Sequence, residues 1–108
     1  MAYAYEGGNI AGWKRGDVFI KYAAAMEGDT IHCDGQQFWA ETARGRVELG
    51  SAKPMSAKGV PLVAAQAGVV PRGFIYAHAP HADALDSRYA IAGLVNRQAV
   101  VGRAVVVF

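Results

Sequence analysis

Glycine cuts this sequence at short intervals, and that punctuation limits what the chain can build more than any other feature. Thirteen glycines and four prolines divide 108 residues into short runs. Several runs are rich in β-formers: 17–25 (DVFIKYAAA), 30–33 (TIHC), 37–40 (QFWA), 74–77 (FIYA) and 99–108 (AVVGRAVVVF). Asp34-Gly35 falls between two of them, a strong hairpin signal because glycine accepts the positive φ of a tight turn. Residues 46–49 suggest one more short strand, and Pro71-Arg72-Gly73 a turn. No stretch shows a convincing amphipathic helical period, although Ala23 to Ala25 favour helix. The expectation is an all-β domain with a strongly bent sheet or partly closed barrel. Residues 1–16, with four glycines, read as a loop or edge segment.

At this length the chain is expected to fold as a single domain, 1–108, around one core. It is 53% hydrophobic and 19% charged, a globular balance rather than a disordered one. A formal charge of +2, with Lys and Arg scattered, argues against nucleic acid as a partner. No window reaches the roughly 18 apolar residues of a membrane helix, and MAYAYEGG lacks the features of a signal peptide. Membrane contact is therefore expected only through a segment outside this sequence. The single cysteine, Cys33, excludes an internal disulfide and a cysteine-built zinc site.

Within FIKYAAAMEGD, residues 19–29, one lysine interrupts an apolar run. If the run is a buried strand, Lys21 has a lowered pKa and its neutral amine can act as a general base. The alternative is a lysine at a strand edge, with a packed stem and a solvated head. A second cluster is HAPHADALDSRY, residues 78–89. His78, His81 and Asp83 have the chemistry of metal ligands, but their spacing matches no known metal motif, so no metal and no cofactor are expected. Asp86 and Arg88, two residues apart, suit a local ion pair that fixes the loop. His32 and Cys33 alternate along a strand and cannot form a dyad; Cys33 reads as a packed thiol. Trp13 and Trp39 read as core or interface aromatics.

Two blocks of sequence together resemble the type I signal peptidases. FIKYAAAMEGDTI is similar to that family's lysine box, with Gly28-Asp29 turning the chain after Lys21. VVPRGFIYAHAPHADALDSRYAIAGLVNRQAVVGRAVVVF is similar to its last box, chiefly through Asp86-Ser87-Arg88-Tyr89 and Val101-Gly102-Arg103-Ala104. The compact middle looks most like the conjugative-transfer (TraF-type) branch. The resemblance implies a twisted all-β fold and a Ser/Lys dyad with Lys21 as base. It also implies a substrate of leader peptides or pilin precursors in conjugation or type IV secretion. The implied location is the periplasm or outer face of the bacterial inner membrane.

The sequence departs from that pattern twice. Residues 1–20 contain no Ser, Thr or Cys, whereas the family's nucleophile is a serine upstream of the lysine. Ala84 stands where the family commonly has a serine bonded to the lysine, and alanine offers no such bond. The expectation is a domain inactive as this chain, its anchor and nucleophile carried elsewhere. The alternative is a degenerate module of the same fold for periplasmic binding, partnered by pilus-assembly proteins.

Overall fold

A computed structural model describes residues 1–102. It is all-β among those residues, with no α-helix and a single 3-10 turn at Arg97–Ala99. The strands are β1 (Ala2–Ala4), β2 (Val18–Ile20), β3 (Tyr22–Met26), β4 (Thr30–Asp34), β5 (Gln37–Thr42), β6 (Gly45–Ser51), β7 (Gly68–Val69), β8 (Phe74–His78), β9 (Val95–Asn96) and β10 (Val100–Gly102). They form three antiparallel sheets: β10-β1-β2, β3-β8-β9 and β6-β5-β4-β7. None of the three closes into a barrel, so the chain bends by stepping from one small sheet to the next.

The hairpin expected around Asp34-Gly35 is present, displaced by one residue. Asp34 pairs with Gln37, which leaves Gly35 and Gln36 as the two-residue turn. Gly35 has φ 63° and Gln36 is not in the positive region. A positive φ at the first central residue alone is the requirement of a type II′ turn.

Two expectations are corrected. The first is the reading of residues 1–16 as loop or edge. β1 lies within them and is the middle strand of its sheet, paired with β2 on one side and β10 on the other. The Ala-Tyr-Ala-Tyr alternation explains it: a period of two sends Tyr3 and Tyr5 to one side, and both are buried. Tyr5 stacks on Phe19 at 4.6 Å and Tyr3 meets the same ring edge-on at 5.9 Å. The second is the single strand expected over 17–25. The structure splits it into β2 and β3, which belong to different sheets. Both are edge strands, so Lys21 lies on no central strand, and Val18, Ile20 and Tyr22 are exposed. Alanines 23 to 25 extend rather than coil because β3 pairs with β8, and tertiary pairing outweighs a weak helical propensity.

The core joins the three sheets through Tyr3, Phe19, Ile31, Phe38, Leu49 and Tyr76 with smaller neighbours. Of the closing run 99–108, β10 accounts for Val100–Gly102; the rest, with Arg103 and Ala104, lies outside the described residues.

Candidate functional site

Lys21 sits at the corner where the chain leaves the first sheet for the second. Ile20 pairs with Ala2 of β1, while Tyr22 pairs with His78 of β8. The corner is held by Met1: the Lys21 amide donates to its carbonyl at 3.0 Å, and the Met1 ammonium donates to the Lys21 carbonyl at 2.7 Å. Alternation survives the corner. Phe19 is buried, Ile20 exposed, Lys21 half-buried and Tyr22 exposed. Lys21 therefore shares the side of Phe19, and its Nζ lies 5.4 Å from the centre of that ring. A half-buried ammonium is incompletely solvated, and burial is the largest influence lowering its pKa below the usual 10.5. The Asp86 carboxylate acts in the opposite direction, and the Arg88 guanidinium adds to the lowering. Among the described residues Nζ makes no hydrogen bond and no ion pair.

A mostly apolar pocket of about 250 Å³ opens at the same corner. Met1, Ile20, Lys21, Tyr22, His78, Ala79 and Pro80 line it. Such a space can hold a short extended segment.

Behind this pocket is a buried polar turn, 86–88. Asp86, Ser87 and Arg88 are each no more than 2% exposed. The Arg88 amide and Nε both donate to Asp86 Oδ1, at 3.0 and 2.8 Å. The remaining guanidinium nitrogens donate to the carbonyls of Ser51 and His81, each at 3.1 Å. The ion pair expected between Asp86 and Arg88 is thus present, but a side-chain-to-backbone turn makes it rather than a shared strand face. Asp86 Oδ2 accepts from the Ala79 amide at 3.0 Å. His78 Nδ1 lies 3.6 Å from the same oxygen, too far for a hydrogen bond, and has no other partner among the described residues. Burial pushes the Asp86 carboxyl up, but His78, Arg88 and two backbone amides together outweigh it and hold the group below the usual carboxylate range. Ser87 Oγ accepts from Ala77 and donates to Gly93. Gly50 is required where this turn meets β6: its φ is +77° and a Cβ there would stand 3.0 Å from an Arg88 nitrogen.

The other candidates lie apart from Lys21. Asp83 pairs with Lys53, and its amide donates to His81 Nδ1 at 3.0 Å. With His78 turned to Asp86, the three do not converge, and no metal-holding group of three occurs among the described residues. Cys33 is exposed, which corrects the packed-thiol expectation. It follows Ile31 on the same side of β4 but lies next to the turn, beyond the core, and its Sγ donates to the Gly35 carbonyl at 3.1 Å. Trp39 is not a core residue either. It stacks on His32 at 4.0 Å, with the Arg46 guanidinium 4.1 Å from its ring, across the outward face of β4, β5 and β6. Ser51 and Ser56 hydroxyls bond locally, and no hydroxyl of a serine lines the Lys21 pocket. Sequence reasoning named His78 only as a metal-ligand candidate; its place in the lining of the Lys21 pocket comes from the β3–β8 register, which sets it opposite Tyr22, and no local sequence signal reports that pairing.

The family model described as signal peptidase, peptidase S26, matches residues 8–108. The chain belongs to that family. The match spans both the lysine corner and the buried Asp86–Arg88 turn. No curated protein and no solved structure matches the chain.

Proposed function

We propose that this signal peptidase domain supplies the base half of a Ser/Lys peptidase site, with Lys21 as the base. The supporting observation is a half-buried lysine with a lowered pKa in the lining of an apolar pocket. In the proposed reaction the neutral amine takes the proton of a serine Oγ as that oxygen bonds to the scissile carbonyl carbon. The lysine ammonium then returns the proton to the leaving amine as the peptide bond breaks. Water hydrolyses the acyl ester that remains. No serine stands among residues 1–20 and none lines the Lys21 pocket, so in this reading the serine Oγ is brought to Lys21 from elsewhere. Substrates are exported leader peptides or pilin precursors, in conjugation or type IV secretion of the TraF type. The site works in the periplasm or at the outer face of the inner membrane.

The second reading is a non-catalytic binding or pilus-assembly module. Ala84 and the absence of a serine hydroxyl from the Lys21 pocket favour it. One experiment separates the two. The 108-residue chain by itself should not cleave a leader peptide. The same chain joined to its natural upstream segment should cleave it, and Lys21→Ala should lower that rate by at least about 100-fold. Cleavage unchanged by Lys21→Ala would remove Lys21 from the mechanism. No cleavage by the joined protein would favour the module.

A further inference from the structure

A general base has to be held in place, and no hydrogen bond or ion pair among the described residues holds Lys21 Nζ. What the amine does meet is the Phe19 ring. Nζ lies over it, 5.4 Å from its centre, inside the ~6 Å range in which an aromatic face attracts an ammonium. The ring itself is clamped. It is buried, Tyr5 stacks on it at 4.6 Å with the two planes 14° apart, and Tyr3 meets it edge-on at 5.9 Å. The β1–β2 register sets Tyr3 directly opposite Phe19, so strand pairing brings the three rings together. Tyr5 is pinned in turn at its far end, where its hydroxyl donates to the Gly8 carbonyl at 2.8 Å. Gly7 leaves room for that bond: a Cβ there would collide with the Tyr5 hydroxyl and with the Ile91 carbonyl.

We propose that the stacked pair Tyr5–Phe19 positions Lys21: Tyr5 immobilises the Phe19 ring, and the ring holds Nζ by cation–π attraction. The ring attracts the ammonium more strongly than the neutral amine. It therefore favours the charge that appears on Lys21 as the amine takes a proton. The attraction offsets part of what burial costs that charge, and burial still prevails. Phe19 and Tyr5 touch no reacting atom and act only through the lysine. The catalytic use of the contact rests on Lys21 being the base, but the contact itself is measurable without any peptidase step.

The test is an alkaline titration of the 108-residue chain with labelled lysine, followed by heteronuclear NMR. The other charged and titratable groups around the amine are the Met1 ammonium at the Lys21 carbonyl, Tyr3 and Tyr5 from β1, Tyr22 and His78 from β3 and β8, and Asp86 and Arg88 from the buried turn. All of them stay in place when Phe19 alone is changed. In the parent chain the Lys21 ε-methylene protons should be shifted upfield by the ring, and Phe19→Leu should abolish that shift. Replacing Phe19 by pentafluorophenylalanine keeps the outline of the ring and reverses the charge distribution on its face. The proton affinity of Lys21 should then fall about threefold or more, while Phe19→Tyr, which keeps an electron-rich face, should leave it near the parent's. A merely structural role for the ring predicts no such difference between two rings of the same shape. A Lys21 titration indifferent to fluorination, or ε-methylene protons with no upfield shift, overturns the proposal. The fluorinated chain decides even if Phe19→Leu does not fold. Failure of leader-peptide cleavage touches only the peptidase reading, and failure of the titration touches only this one.

Discussion

Lys21 carries a charge where the fold half-withdraws water from it, and apart from the Phe19 ring no hydrogen bond or ion pair among the described residues meets that charge. A lowered lysine pKa means that the folded state binds its proton less tightly than the unfolded chain does. The resulting cost is fully present below the folded pKa and disappears as pH rises past the ordinary 10.5. Lys21→Met keeps the stem over Phe19 and removes the charge. Its melting temperature at pH 7 should equal or exceed the parent's, and the difference should shrink above pH 10.5. A variant less stable than the parent at pH 7 would show that the ammonium has a stabilising partner. From the sequence, the lysine was visible as an interruption of an apolar run. Its half-burial at a corner was not, since that depends on which strands Ile20 and Tyr22 join.

The hairpin of β4 and β5 was the most legible element, because its turn chemistry and both β-rich runs are local. It is also the centre of the largest sheet, where β5 buries Phe38 and Ala40 completely while Trp39 faces outward. Phe38→Ala should cost about 3–5 kcal/mol in denaturant unfolding, the combined loss of transfer energy and filled volume. Trp39→Ala should cost clearly less, since its face is an exposed ladder with His32 and Arg46 rather than core. Equal costs would contradict the assignment of faces. The two-residue strands β7 and β9 escaped the sequence reading for the opposite reason. Two residues are too few to show a period, and only their partners β4 and β8 define them.

Across the whole molecule, the turn 86–88 joins what the sheets leave separate. Ser87 and Asp86 hold β8 and the segment after it, while Arg88 reaches the end of β6 in another sheet. Arg88→Ala strands a buried carboxylate and should cost about 3–5 kcal/mol. Arg88→Lys should recover little of that, because an ammonium cannot reach the same three acceptors at once. The folded pKa of Asp86 is depressed, so its contribution is complete above the ordinary carboxylate value near ~4 and is lost as pH falls through the folded one. Thermal unfolding across that acid range should show the loss, and Asp86→Asn should flatten the slope while lowering stability at pH 7.

The sequence by itself determined the strand-rich class, the central hairpin and the candidate lysine, because glycine turns, alternation and an isolated charge are local patterns. The Asp86–Arg88 pair was also within reach, since two residues in one turn need no distant partner. Only the tertiary structure decided that β1 is a middle strand, that Lys21 turns a corner between sheets and that His78 borders the same pocket. Those are matters of pairing across some 20 to 100 positions of sequence, as Met1–Lys21, Tyr22–His78 and Ala2–Gly102 show. Backbone hydrogen bonds are the same for every residue type, so such pairings leave no mark on any single stretch of the chain.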